Sequence, residues 1–257
     1  MGLLNKLGIK KAGPKVGAAS AAKIPKGQRI YAIGDIHGRA DLLKQLHLQI
    51  VADAANYEGQ KQVIYLGDMI DRGDHSKQVL DLLLEHPLEG FDPIYLMGNH
   101  EQAALSFLDN PESITGWLTW GGRETLASYG INANLSDNVE SLRSEWERLL
   151  AANHLNFMES CQLSHQSGNY YFVHAGIRPG IPLEEQRFED QLWIREPFIS
   201  STANHGAVVV HGHTISEQPV VQDNRIGIDT GAYYTGILTC LVLEDEDQRF
   251  LQTGGGS

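Results

Sequence analysis

The residues Arg29-Ile30-Tyr31-Ala32-Ile33-Gly34-Asp35-Ile36-His37-Gly38 open the first structural unit of this chain. The first five are a short, largely apolar run that stops at a glycine, as a buried strand does where it meets a turn. Leucine and isoleucine then recur at helical spacing over Ala40–Ala55. The stretch therefore predicts a strand, a loop and a helix in succession.

The same order of elements returns twice further along. The later strand, loop and helix sets are Val63–Leu66, Gly67–Asp74 and Val79–Leu84, then Ile94–Met97, Gly98–His100 and Gln102–Leu108. The intervals of 33 residues from Asp35 to Asp68 and 31 residues from Asp68 to Asn99 each match one βαβ unit. Three neighbouring parallel strands with right-handed crossovers are predicted. Their loops should leave one edge of the sheet, where ligands of open α/β sheets bind.

Residues 110–168 show no strand signal of similar strength and predict a helical insertion beside the site. Its helices are expected over Ile114–Tyr129 and Val139–Met158. Large aromatic side chains in such helices are typical of a core, and those expected there are Trp117, Trp120, Tyr129 and Trp146. Short β-rich runs follow, and two of them end at His174 and His211.

Length and composition fit one α/β domain in a chain of 257 residues. We expect that domain over residues 28–249, a flexible basic lead-in over residues 1–27 and a flexible tail over residues 250–257. The lead-in holds six lysines and no acidic residue. The remainder has 14 basic against 32 acidic residues, a charge of −18, and is therefore a poor nucleic-acid binder.

The sequence also limits the compartment in which the protein works. No apolar run approaches the roughly 20 residues that span a bilayer, so we expect no membrane span. Cys161 and Cys240 lie in apolar surroundings without metal-ligand or redox spacing. Reduced thiols, and with them a cytoplasmic location, are the interpretation that this pattern favours.

The first loop offers two metal ligands. Asp35 and His37 stand two residues apart between glycines, and in an extended segment both side chains point the same way, onto one ion. Asp68 ends the next strand in an equivalent position. Because a carboxylate can bridge two ions about 3.5–4 Å apart, Asp68 is the candidate bridging ligand.

A second ion would be bound by Asp68 together with Asn99, His174 and His213. Taken alone, His174 is equally well explained as a packed histidine at a strand end. Carboxylate, amide and imidazole donors suit manganese, iron or zinc, and no thiolate is present to favour a softer metal. All these segments in this order indicate a hydrolase-type site with two adjacent divalent ions.

The motifs resemble the phosphoprotein phosphatase family of calcineurin-like dinuclear metallophosphoesterases, whose pattern is GDxHG, GDxxDRG, GNHE and two separated histidines. The resemblance runs from about Arg29 to Leu243. It implies a βαβαβ core in a two-sheet sandwich flanked by helices. It also implies one metal on Asp35, His37 and Asp68, and a second on Asp68, Asn99, His174 and His213. The family's GHT form selects His213, which leaves His211 a supporting role.

In that family, a water activated by both metals attacks phosphorus in line, without a phosphoenzyme intermediate. The resemblance makes His100 the acid that protonates the leaving oxygen. Asp71 would orient the imidazole of His100 and raise its pKa.

The resemblance also implies a set of phosphate-binding residues. A guanidinium suits this task because it is planar and permanently charged. A second arginine is expected between the last two histidines, and Arg195 fits that position better than Arg178 or Arg187. The residues implied to bind phosphate are Arg72, Asn99 and Arg195.

The sequence leaves the substrate less defined than the chemistry. The intact Asp71-Arg72-Gly73 favours a protein phosphatase over a symmetrical diadenosine tetraphosphate hydrolase, and Ile228–Tyr234 resembles the compact bacterial and phage-type members. We expect manganese-dependent hydrolysis of phosphoserine and phosphothreonine, and also phosphotyrosine, in proteins. A nucleotide polyphosphate hydrolase is the second hypothesis, and a non-catalytic phosphoprotein-binding module is the third. Oligomeric state and physiological targets stay open.

Overall fold

The computed structural model describes residues 22–134 and 136–254. Within them, ten strands form two five-stranded sheets. The strands are β1 (Gln28–Ile33), β2 (Gln60–Tyr65), β3 (Asp92–Tyr95), β4 (Ser164–Ser167), β5 (Tyr170–Val173), β6 (Val208–His211), β7 (Val220–Val221), β8 (Arg225–Gly227), β9 (Thr239–Glu244) and β10 (Asp247–Gln252). The α-helices are α1 (Ala40–Ala54), α2 (Ser76–Glu85), α3 (Asn99–Asp109), α4 (Ile114–Trp117), α5 (Arg123–Ser128), α6 (Val139–Leu149), α7 (Ala152–Ser160), α8 (Phe188–Trp193) and α9 (Ala232–Thr235).

The first sheet has the order β10-β9-β1-β2-β3, with β1, β2 and β3 parallel. The prediction of three consecutive parallel strands is confirmed. The second sheet has the order β4-β5-β6-β8-β7, and its central strands β5, β6 and β8 are also parallel. The α/β fold with two mixed sheets and flanking helices agrees with the architecture expected from the sequence.

Alternation along the strands explains why the two sheets stack. In β1, Ile30 and Ala32 face the layer between the sheets, whereas Tyr31 and Ile33 face the helices. Successive side chains of a strand point to opposite faces, so one apolar strand serves two core layers. The second sheet fills the layer between the sheets with Tyr170, Phe172, Val208, Val210 and Ile226.

The insertion is helical, but its first helix is interrupted. A π-type turn, Leu118–Gly122, separates α4 from α5, and Gly121 within it has φ 116°. Trp117, Tyr129 and Trp146 are buried as predicted. The prediction for Trp120 is wrong: its side chain is 44% exposed, because the turn interrupts the helical register at this position. The end of the predicted insertion is also not helical, since β4 pairs there with β5.

Both predicted domain boundaries shift outward. Residues 1–21 of the lead-in lie outside the described part, but Ala22 and Ile24 are buried in the layer between the sheets. The backbone N–H of Ile24 donates to Asp245 O at 3.1 Å, which fixes this segment against the sandwich. At the other end, β10 continues to Gln252, with Leu251 buried, so the predicted tail begins inside a strand.

None of the described helices is long and apolar enough to cross a membrane. Cys161 and Cys240 are free thiols, and Cys240 is buried.

Side chains buried in the layer between the sheets should contribute strongly to stability. Phe172 is fully buried there, so Phe172→Ala should lower the free energy of unfolding by about 3–5 kcal/mol. Phe188, at the start of α8, is 41% exposed, and Phe188→Ala should cost under about 1 kcal/mol. Urea denaturation followed by circular dichroism measures both. Equal losses would contradict the burial of Phe172 between the sheets.

Candidate metal centre

The candidate site lies at the carboxyl ends of parallel strands from both sheets. Asp35, Asp68 and Asn99 follow β1, β2 and β3, while His174 and His213 follow β5 and β6. Backbone hydrogen bonds join the loops: Gly212 N donates to His174 O at 2.8 Å, and His37 N donates to Asp68 O at 2.9 Å. All six ligand candidates named here are buried. The convergence of these loops follows from the parallel strand order.

The first group of donor atoms comes from His37, Asp68 and His100, whose ligand atoms lie within 4.8 Å of one another. His37 Nε2 is 3.5 Å and His100 Nε2 3.8 Å from Asp68 Oδ2. The carboxylate of Asp35 lies beside this group and accepts the backbone N–H of His213 at 3.0 Å. His100 thus joins His37 and Asp68 in this group, and the role of Asp35 as a metal ligand stays a prediction.

The second group comes from Asp68, His174 and His213, again within 4.8 Å. The amide oxygen of Asn99 is centred on it, 2.9 Å from His174 Nε2 and 2.8 Å from His213 Nδ1. Asp68 Oδ1 is 3.4 Å from His174 Nε2. Asp68 thus belongs to both groups, while its role as a bridging ligand stays a prediction.

Tautomers show that lone pairs face the centre. His37 Nδ1 can only donate to the Ile70 carbonyl, at 2.9 Å, and His174 Nδ1 only to the Leu66 carbonyl, at 2.8 Å. In the neutral rings, both Nε2 atoms therefore present lone pairs. His174 Nε2 then faces the oxygen of Asn99 with no proton between them, an arrangement that a cation stabilises.

One further atom fits a bound cation. Asp229 Oδ2 is buried and has no hydrogen-bond partner among the described residues. Buried polar atoms are rarely left unpaired in proteins. The donor set of carboxylates, imidazoles and one amide suits divalent ions such as manganese, iron or zinc.

The pKa shifts of the candidate ligands also favour a bound cation. Burial raises the pKa of Asp35 well above its usual range, and the carboxylates of Asp229 and Asp68 add to this. Burial also raises the pKa of Asp68, but the neighbouring imidazoles outweigh it and hold that pKa far below normal. Burial lowers the pKa values of His37 and His213, which favours their neutral forms. Concentrated carboxylates beside neutral imidazoles are the setting that binds a divalent cation.

His100 and Asp71 form a buried pair at the edge of the centre. His100 Nδ1 lies 2.6 Å from Asp71 Oδ2, which also accepts Trp117 Nε1–H at 2.9 Å. The hydroxyl of Thr125 donates to Asp71 Oδ1 at 2.5 Å. Burial opposes protonation of His100, but Asp68 and Asp71 outweigh it and raise the pKa of His100. The insertion thus fixes the carboxylate that orients this imidazole.

Arg72 is half-buried and reaches over the centre. Its Nη1 donates to His37 Nε2 at 2.8 Å, and its Nη2 lies 3.2 Å from His100 Nε2. A guanidinium in this place can bind phosphate oxygens by paired hydrogen bonds.

The second predicted arginine, Arg195, is exposed just beyond α8. The pKa of His213 is lowered mainly by burial, and the nearby charge of Arg195 contributes to this shift. Arg178 instead forms an ion pair with Asp190 at 2.5 Å, and Arg187 is exposed. The phosphate-binding role of Arg195 stays a prediction.

Two buried acidic residues near the centre, Glu101 and Asp229, had no predicted role. Glu101 accepts four backbone N–H groups, from Gly98, Asp68, Met69 and Ile70, at 2.7–3.2 Å. Asp229 follows β8 at the same edge as the other ligands, and burial raises its pKa to about 6. Its position just after a parallel strand could have indicated from the sequence that it lies at the site.

His211 belongs to neither metal-ligand group. Its ring packs 5.1 Å from that of Phe198, and its Nε2 accepts Arg225 Nη1–H at 3.4 Å. These contacts agree with the supporting role that the resemblance gave it.

A buried centre of this composition, at the carboxyl ends of parallel strands, defines a metal-dependent hydrolase. The sequence pattern of calcineurin-like phosphoesterases matches residues 28–239, and the chain belongs to that family. The family uses a dinuclear divalent metal centre and hydrolyses phosphoesters.

Two relatives named for an activity are similar to this chain, but the similarity does not identify its substrate. The chain is 25% identical over 230 residues to an asymmetrical bis(5'-nucleosyl)-tetraphosphatase PrpE of Bacillus cereus, covering 81% of this chain and 88% of the relative. A protein of the same name from Bacillus mycoides is 24% identical over the same shares of both chains.

Solved structures share the fold at low sequence identity. One, provisionally described as a diadenosine tetraphosphatase, superposes with a TM-score of 0.61 at 18% identity, covering 91% of this chain and all of that one. A cold-active protein-tyrosine phosphatase from a psychrophilic Shewanella gives 0.57 at 17% identity, covering 90% and 83%.

If Asp68 bridges two ions, Asp68→Asn should lower the metal content of manganese-loaded protein from two ions per chain to one or none. The neutral amide loses the charge that both groups share. Plasma mass spectrometry after removal of free metal measures the content. Asp74→Asn, in the same loop but exposed, should retain both ions. Two tightly held ions in the Asp68 variant would contradict the assignment.

Glu101→Gln should destabilise the protein by about 3 kcal/mol, because an amide nitrogen cannot accept the backbone N–H groups and leaves buried donors unpaired. Chemical denaturation of the metal-stripped protein measures this. Glu112→Gln, at an exposed glutamate, should change stability by less than about 0.5 kcal/mol. A similar small change for both variants would remove Glu101 from its structural role.

Proposed function

We propose that this chain is a metal-dependent phosphomonoesterase that releases phosphate from phosphoserine, phosphothreonine and phosphotyrosine in proteins. The contact of 2.6 Å between His100 Nδ1 and Asp71 Oδ2 carries the proposal. A serine or threonine alkoxide is a poor leaving group that requires a proton from an acid. A nucleotide phosphate leaves readily without one. A buried, oriented imidazole therefore supports an ester of an alcohol as substrate.

Each residue then has a task in the reaction. When bound, two divalent ions, manganese first and iron or zinc as alternatives, would lower the pKa of a water and polarise the phosphoryl oxygens. Arg72 binds the oxygens that are not transferred. His100 gives the leaving oxygen a proton, and Asp71 holds that imidazole in place. The residues that would hold the ions are Asp35, His37, Asp68, Asn99, His174 and His213.

A dinucleoside tetraphosphate hydrolase is the second candidate. It is favoured by the curated relatives, whose name describes asymmetrical hydrolysis of bis(5'-nucleosyl) tetraphosphates. The same centre would serve an anhydride as well as an ester, since both reactions transfer a phosphoryl group to water. In either case we propose a cytoplasmic enzyme, and phosphorylated proteins are the partners in the first.

Chelator-stripped protein should regain phosphate release from phosphoserine, phosphothreonine and phosphotyrosine peptides when manganese is added. Diadenosine tetraphosphate is assayed alongside by chromatography of its products. Turnover of peptides supports the first candidate. Cleavage of the dinucleotide alone would favour the dinucleoside tetraphosphate hydrolase. If neither substrate is cleaved, a module that binds phosphoproteins without turnover would be favoured.

His100→Asn should reduce kcat for a phosphoserine peptide by about 10²–10⁴, because the leaving alkoxide loses its acid. The loss for 4-nitrophenyl phosphate should be far smaller, because that leaving group needs no proton. Steady-state kinetics with both substrates measures the difference. His86→Asn, at an exposed histidine, serves as the control. Equal losses on both substrates would exclude His100 as the acid.

A further inference from the structure

Two pairs of aromatic side chains stand at the mouth of the metal centre. The rings of Trp120 and Trp193 are 5.1 Å apart at 62°, and those of Tyr233 and Tyr234 are 4.9 Å apart at 71°. Trp120 is 44% and Tyr234 61% exposed. We call these four side chains the aromatic rim.

Each pair contacts a different group of metal-ligand candidates. The ring of Trp193 lies 6.4 Å from that of His213, and the ring of Tyr233 lies 5.6 Å from that of His37. Arg72 lies between the pairs: its guanidinium carbon is 5.0 Å from the Tyr233 ring centroid, and its Nε donates to Trp120 O at 3.4 Å. The ring of Tyr233 therefore adjoins Arg72, the residue that should bind phosphate, and Arg72 is also bonded to the backbone of Trp120.

The backbone holds both pairs in place. Arg72 N donates to Gly121 O at 3.1 Å, and a Cβ on Gly121 would meet Arg72 N at 2.6 Å. Gly121 has φ 116°, a conformation that favours glycine. On the other side, a Cβ on Gly231 would overlap the ring of Tyr234, whose backbone N–H donates to Gly231 O at 3.0 Å. Gly121 thus permits the close approach of Arg72 to the backbone next to Trp120, and Gly231 permits the ring of Tyr234 to pack on the backbone.

Core packing does not explain this exposure. The other insertion aromatics, Trp117, Tyr129 and Trp146, are all buried. Three large aromatic residues in the described chain are strongly exposed: Trp120 and Tyr234 belong to the aromatic rim, and Phe188 lies on α8. Aromatic side chains kept exposed beside a functional site are typical of ligand contact.

We propose that the aromatic rim binds the planar ring of a phosphotyrosine side chain, so that the enzyme prefers phosphotyrosine to phosphoserine in proteins. This rests on the proposed protein phosphatase function. A ring attached directly to the phosphate oxygen stays within reach of side chains that adjoin Arg72. Edge-to-face or offset contacts with Trp120 and Tyr233 then stabilise it, whereas the short aliphatic side chain of phosphoserine leaves them unused.

Matched peptides that differ only in the phosphorylated residue test the preference. Trp120→Leu should lower kcat/KM for the phosphotyrosine peptide about tenfold, chiefly through KM, and leave that for the phosphoserine peptide within about twofold. Trp120→Phe should restore most of the loss, because a ring is present again. Phe188→Leu should affect neither peptide. Equal losses on both peptides would make Trp120 a structural residue and overturn the proposal.

Binding tests the aromatic rim independently of turnover. Phenylphosphonate and methylphosphonate differ in the ring and are not hydrolysed. Titrations of manganese-loaded protein by tryptophan fluorescence should give a Kd about tenfold lower for phenylphosphonate, and Trp120→Leu should remove the difference. Equal Kd values in the unchanged protein would overturn the proposal.

A dinucleotide assay separates failure of this proposal from failure of the proposed function. If diadenosine tetraphosphate is cleaved and neither peptide is, the protein phosphatase function fails and phosphotyrosine falls with it. A loss in Trp120→Leu on the dinucleotide, but not on inorganic tripolyphosphate, would then assign the aromatic rim to a nucleobase. If the phosphotyrosine peptide is cleaved no better than the phosphoserine peptide, only the preference proposed here fails.

Discussion

The carboxylate of Glu101 fixes the geometry on which the metal centre depends. It binds four backbone N–H groups that belong to two loops, the one after β2 and the one that begins α3. Those loops carry Asp68, Asp71, Asn99 and His100. Because one side chain sets their relative position, candidate ligands on separate strands reach the same point without a long connecting segment. His100 and Asp68 are therefore aligned by the backbone before any substrate arrives.

The site also concentrates unusual backbone conformations. In the described chain, His37, Asp68, Asp71, Arg72 and His213 all have positive φ between 46° and 72°. Side chains other than glycine adopt this region at a cost, so the surrounding bonds must hold them there. The parallel strands and the contacts of Glu101 supply that support. Positive φ values at these residues let short turns direct several side chains toward one centre.

The repeated strand–helix units, and the polar residues that follow each strand, were predictable from the sequence. The βα units gave the parallel order of β1, β2 and β3, and with it the edge where the ligands meet. Sequence reasoning missed Glu101, whose partners are backbone atoms that carry no sequence signal. It placed Trp120 in the core, because helical spacing does not reveal the turn at Leu118–Gly122. The burial of Ile24 escaped it too, since a single apolar residue among lysines has no periodicity.

The centre is built across the seam between two sheets. Asp68 and Asn99 come from the first sheet, and His174 and His213 come from the second. An ion held by all four residues would bind the folded chain but not the unfolded one. It would therefore raise the free energy of unfolding in proportion to the logarithm of the free metal concentration. Metal supply would then govern how long the protein survives as well as how fast it works. In a cell short of the metal, a larger fraction of the protein would be unfolded.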